Sequence, residues 1–184
     1  MRFEKILVDQ CAPTLARIKT GSLFTADCGT EEKLNESIRA CAEVLGPKDV
    51  HVELIRVRGG KALIYVFRKG RLEQDLCCPV IREFLASCGY GRFDAQGAVE
   101  TLKQRMGVAE GFPHEIGLFL GYPVEDVLGF VSNCGRNCLL CGPWKVYHDV
   151  SAAQRQFARM RKCFEVYKRL YGQGRSLEKL TVPA

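Results

Sequence analysis

The chain has 184 residues, 47% of them apolar and 26% charged, a balance that excludes a disordered chain and supplies a core without covalent staples. No run of 18 apolar residues occurs, which excludes a membrane-spanning helix. The net charge of +6 lies wholly in residues 151–184, with eight basic residues against two acidic ones, while the first 150 residues are neutral.

The opening Met1-Arg2-Phe3-Glu4-Lys5-Ile6-Leu7-Val8-Asp9 places charges through what would have to be an apolar signal core, so the expected compartment is the cytoplasm. Residues 2–10 read as a short helix, broken at Cys11-Ala12-Pro13-Thr14, with Pro13 starting a new turn through Ile18. Ser22–Ala26 reads as a short strand. Thr30 opens a helix in which Leu34, Ile38, Cys41 and Leu45 recur at helical spacing until Gly46-Pro47. Residues 50–57 and 62–68 are rich in Val, Ile, Tyr and Phe, and Gly59-Gly60 between them supplies the positive φ angles of a tight hairpin.

Residues 79–87 and 95–106 read as helices closed by Gly89 and Gly107. Residues 113–120 and 123–131 read as two short helices around Gly121-Tyr122. Residues 144–147 alternate like a strand. Residues 151–171 form a long amphipathic helix with Phe157, Met160, Phe164 and Tyr167 on its apolar stripe and Arg155, Lys162 and Arg169 on its polar side. There is no internal repeat and no linker. The expectation is one α+β domain spanning 1–184, mostly helical, with a small sheet built on the 50–57/62–68 hairpin and a basic C-terminal helix and tail (151–184) packed on it.

Ten cysteines in a chain expected to remain in a reducing compartment point to free thiols, a metal site or redox chemistry rather than disulfides. Cys134, Cys138 and Cys141 fall in one glycine-flanked loop with Cys-x3-Cys-x2-Cys spacing. Thiolates this close suit a soft metal or an iron–sulfur cluster. A closed zinc site needs a fourth ligand, for which Cys11, His148 and Cys163 are candidates. The same spacing marks radical enzymes that use S-adenosylmethionine, but those build a barrel after the motif, and 43 residues follow Cys141 here. The plain alternative is three ordinary cysteines in one loop.

His114 and Glu115, at a helix start, suit proton transfer, since imidazole titrates near neutrality. Position 118 holds Leu, so the pair is not a zinc-protease helix. Gly117, Gly121 and Gly129 cost helix stability and imply close approach of the backbone to another helix or a ligand. Tyr122 and Trp144 complete a candidate ligand pocket. Cys11 reads as a thiol before a helix N-terminus, where the dipole stabilises a thiolate; the alternative is a buried cysteine at a bend. Lys19-Thr20-Gly21 reverses the order of a phosphate loop and is discarded. The basic terminal helix lacks interleaved exposed aromatics, so nucleic-acid binding is not expected.

Several segments carry a resemblance: Cys11–Ala16, Lys19–Phe24, Phe112–Pro123, Glu125–Phe130, Cys141–Tyr147 and Ser176–Val182. Together they are similar to the uncharacterised bacterial family catalogued as domain of unknown function 3793, nearly end to end. The run His-Glu-Ile-Gly-Leu-Phe-Leu-Gly-Tyr-Pro is its most specific part. The family's occurrence mostly in anaerobic bacteria implies a reducing, low-oxygen cytosol. The resemblance implies no activity and carries over no catalytic residue.

The leading functional expectation is thiol-linked redox or soft-metal handling, with an iron–sulfur cluster or thiolate-bound metal at Cys134, Cys138 and Cys141. Cys11, His114 and Glu115 would supply the chemistry nearby, and a redox or metal-handling protein would be the partner. The alternative is a non-enzymatic binding module that holds a small ligand or a protein partner in the glycine-bearing region of residues 112–130 with Trp144.

Overall fold

The computed structural model describes residues 3–27, 29–108 and 112–184. Helix α1 (Phe3–Leu15) leads into β1 (Gly21–Asp27), then α2 (Glu31–Leu45), β2 (Val50–Arg58) and β3 (Lys61–Arg68). Four helices follow: α3 (Lys69–Leu76), α4 (Pro79–Ser87), α5 (Ala95–Val108) and the single turn α6 (Ile116–Phe119). Helix α7 (Val124–Ser132), the ribbon strands β4 (Leu140–Cys141) and β5 (Lys145–Val146), the long α8 (Val150–Gly172) and the short α9 (Leu177–Leu180) complete the α+β fold. No described helix is long and apolar enough to cross a membrane.

The expected hairpin is present. β2 and β3 pair antiparallel, and Gly59 and Gly60 both adopt positive φ (56° and 72°). The sheet order is β1-β3-β2, so β3 is central. Its residues from Ala62 to Arg68 are all buried because both faces of the strand are covered. Ala62, Ile64 and Val66 face a core shared with α1, α2 and α8, whereas Leu63, Tyr65 and Phe67 face a second core built from α3, α4, α5 and α6. A third, smaller core holds Trp144, Val146, Ala153, Phe157 and Met160.

Two expectations change, and one helix was not anticipated. Helix α1 does not break at Cys11; it runs through Pro13 to Leu15. Pro13 removes one helical hydrogen bond, but Leu7, Val8, Cys11, Ala12 and Leu15 all bury against the sheet, and that packing outweighs the loss. Helix α3 follows β3 directly, unannounced by any breaker. Its Leu72 and Leu76 bury one helical turn apart, and Asp49 accepts from the Gly70 amide at its start (3.1 Å). In the 113–120 segment only Ile116–Phe119 is helical.

The apolar stripe of α8 is as expected at Phe157, Met160 and Tyr167, with Arg155, Lys162 and Arg169 exposed. Phe164 is only half-buried, at the edge of the first core. Asp149 caps this helix by accepting from the Ala152 amide at 2.9 Å.

One buried charge ties these layers together. Arg68, 1% exposed at the end of β3, donates to the carbonyls of Thr14 (2.8 Å), Leu15 (2.6 Å), Lys48 (3.0 Å) and Val182 (2.7 Å). These oxygens lie at the end of α1, before β2 and in the C-terminal tail; those of Thr14 and Leu15 also accept from the Arg17 and Val182 amides (3.1 and 3.0 Å).

Candidate functional site

The site is built on the segment between α7 and α8. Asp126 on α7 is 3% exposed and organises it. Its carboxylate accepts from the Trp144 indole Nε1 (2.8 Å) and from the backbone amides of Tyr147 (2.7 Å) and His148 (3.1 Å). Three donors shared between its two oxygens satisfy the hydrogen-bonding capacity that burial takes from water. The β4–β5 ribbon is thereby fixed over α7, and Lys145 closes its other end by donating to the Gly135 carbonyl (2.6 Å).

This arrangement frames a cavity of about 500 Å3. Five aromatic rings line it: Phe112, His114, Tyr122, Phe130 and Trp144. Tyr122 stacks on Trp144 at 4.9 Å between centroids, Trp144 meets Phe157 edge-on at 4.5 Å, and His114 lies 5.4 Å from Phe130. Ile116, Gly117 and Val127 add apolar wall, while Asp126 and Lys145 are its charged members. Phe112 stands at the rim, 53% exposed. The volume lies within the usual range for small-molecule sites, roughly 300–1,000 Å3, and the mostly apolar lining with few polar groups is their usual composition.

The candidate residues fall into separate places. His114, Gly117, Tyr122, Trp144 and Cys141 line this one cavity. Glu115 does not. It is 2% exposed, ion-paired with Arg105 and within 3.3 Å of the Tyr90 hydroxyl, and Arg105 also donates to the Cys88 carbonyl (2.6 Å). That network joins α5 to the start of α6. Gly121 has φ of +73° and its missing Cβ leaves room for Thr20. A Cβ at Gly117 would meet Val127, and one at Gly129 would meet Tyr147. The close approaches expected at these glycines are therefore made to the protein's own side chains.

Cys11 lies inside α1, fully buried in the first core, which shares no residue with the cavity lining. Burial pushes its thiol well above the usual range. It precedes no helix N-terminus, because the helix does not restart there. Cys163 is also in the first core, pushed up to about 11 by burial. His148 is exposed.

Of the three loop thiols, two are paired. The Sγ atoms of Cys138 and Cys141 are 3.5 Å apart. The contact with Cys141 raises the Cys138 pKa, and Lys145 acts against it. Cys134 ends α7 in a left-handed turn (φ 49°), with an exposed side chain. Among the described residues, no three His, Cys, Asp or Glu side chains group closely enough to hold a metal ion. Cys134 and Asn137, in the segment that leads to Cys138, both take positive φ. The nine described cysteines are all free thiols.

Sequence reasoning passed over Asp126, whose flanking residues look like an ordinary acidic first helical turn. Only its three donors distinguish it. The Tyr147 hydroxyl was also passed over; it is buried without a hydrogen-bond partner in the structure, and the paired thiols contribute to its raised pKa after burial.

A family model described as "Protein of unknown function (DUF3793)" matches residues 7–181. No curated protein and no solved structure matches the chain.

Proposed function

This chain belongs to the DUF3793 family, and from that premise we propose that it is a binding module for a small, planar, largely apolar ligand. The observation that carries this reading is the aromatic cavity beside the Asp126-anchored ribbon. Flat rings stacked or tilted around one space favour a flat guest, and edge and face contacts of this kind contribute about 1 kcal/mol each beyond area burial.

Trp144 is the only tryptophan in the chain and lines the cavity, so its emission reports on occupancy. Titration with indole and with the neutral dye N-phenyl-1-naphthylamine should quench Trp144 saturably. Replacing Ile116 by Phe, which fills the space, should weaken both ligands about tenfold, the effect of roughly 1.4 kcal/mol. Absence of saturable quenching by either compound, with the fold intact, would sink the reading.

A second reading, reversible dithiol chemistry, is favoured by the 3.5 Å separation of the Cys138 and Cys141 sulfurs. With glutathione disulfide as oxidant, both thiols would lose their protons and together give up two electrons. One disulfide would form in the protein and two glutathione thiols would be released. In a glutathione redox buffer, alkylation and mass mapping should find a Cys138–Cys141 bond at a midpoint between about −270 and −120 mV. Cys134→Ser should leave that midpoint unchanged. Full alkylation of both residues throughout that range would remove this reading and leave the ligand-binding one standing.

A further inference from the structure

Lys19 sits in the turn between α1 and β1, a turn fixed by the Ile18 and Lys19 amides, which both donate to the Pro13 carbonyl (2.8 and 3.2 Å). Its ammonium lies 5.2 Å from the centroid of the Tyr122 ring. Among the described residues, no carboxylate forms an ion pair or hydrogen bond with it. Burial is the main cause that lowers its pKa to about 8. A half-buried cation on an apolar surface without a counter-ion costs folding energy, which the Tyr122 ring face offsets only in part.

Lys19 lines a second cavity, of about 690 Å3, that shares the Cys141-Gly142-Pro143 segment with the aromatic one. Leu140, Phe157, Met160 and Phe164 give it an apolar floor. Arg161, exposed on α8, supplies a second cation, itself in no ion pair or hydrogen bond among the described residues. Phe157, Arg161 and Phe164 share one face of α8 through their three- and four-residue spacing, which puts the guanidinium where the apolar stripe meets the polar side. Among the described residues, no acidic side chain lines the cavity. Two unbalanced cations beside an apolar floor match a molecule with the opposite pattern.

We propose that this second cavity binds a small amphipathic anion of the aryl- or alkyl-carboxylate class, its body on the apolar floor and its charged end held by Lys19 and Arg161. The site does not depend on which ligand the aromatic cavity takes. The guanidinium offers a carboxylate two parallel donors, and the lysine adds a point charge in a partly desolvated setting.

The test uses the full-length reduced protein and two dyes of the same skeleton: anionic 1-anilinonaphthalene-8-sulfonate and neutral N-phenyl-1-naphthylamine. The anionic dye should bind saturably, and octanoate should displace it where octanol does not. Lys19→Met and Arg161→Met should each weaken the anionic dye about tenfold and leave the neutral dye within about twofold. Lys19→Arg should restore binding. Equal binding of the anionic dye to wild type and both variants, equal competition by octanol, or no saturable binding of dye or octanoate would overturn the proposal. If a thermal melt shows Lys19→Met unfolded, Arg161→Met carries the test, because its side chain is exposed.

Discussion

Replacing Arg68 by Ala should destabilise the protein by about 3–5 kcal/mol, the cost of losing four charge-assisted hydrogen bonds and a buried stem. Four carbonyls lose the guanidinium in that variant; those of Lys48 and Val182 lose it as a donor outright, while Thr14 and Leu15 keep the Arg17 and Val182 amides. Each buried acceptor left without a donor costs on the order of 1 kcal/mol or more. Arg68→Met separates two causes, because it keeps most of the stem volume but none of the donors. It should lose nearly as much as Arg68→Ala. Urea titration gives the free energy, and the melting temperature should fall by roughly 10 °C for a chain of this length. A loss below about 1 kcal/mol would mean that water replaces the guanidinium, and that the C-terminal tail is not held there. A selective release of the tail, seen as faster hydrogen exchange at Val182, whose amide donates to the Leu15 carbonyl (3.0 Å), is part of the expected result.

The second large effect is local. Asp126→Ala removes the acceptor for the Trp144 indole and for the Tyr147 and His148 amides in one step. The expected global loss is about 3 kcal/mol, from three donors left without their charged acceptor. More diagnostic is the place where the structure loosens. Trp144 emission should shift to longer wavelength, and exchange of the Tyr147 and His148 amides should rise well above that of the β2–β3 ladder. Asp126→Asn retains a carbonyl oxygen but presents an NH2 group where the carboxylate accepted, so it should fall between wild type and Ala. If Trp144 emission and those amide rates stay at wild-type values, the ribbon is held by its packing on Phe157 and Tyr122, and Asp126 is not its anchor. Loss of planar-ligand binding in Asp126→Ala should follow the change in emission, because the Trp144 ring is part of the cavity wall.

The sheet was legible because every local signal agreed. The hairpin at residues 50–68 has β-branched and aromatic strands, and its two glycines have positive φ in the structure. Residues 157, 160 and 167 showed their burial through helical spacing alone. The break expected at Pro13 did not occur, because local breaker chemistry competes with packing, and α1 buries one whole side. Helix α3 escaped notice because its start is capped by Asp49, more than twenty residues earlier in the chain.

For the candidate site, the sequence by itself pointed to a region: the run around residues 112–130, Trp144 and the cysteine loop. It did so through residue types, namely glycines where side chains would clash, aromatics in number and thiols in a row. The tertiary structure alone decided how these residues divide. The Cys138 and Cys141 sulfurs lie 3.5 Å apart, while Cys134 stands exposed in a left-handed turn. Glu115 became a buried anchor for Arg105 rather than a partner of His114 in the cavity. Lys19, set aside as a reversed phosphate motif, came to line a cavity with Arg161, about 140 positions away. Spacing along a chain reports which residues share one face of one element. Which faces meet across elements depends on backbone reversals and long-range packing, and a carboxylate such as Asp126 acquires its role only from the donors that the fold brings to it.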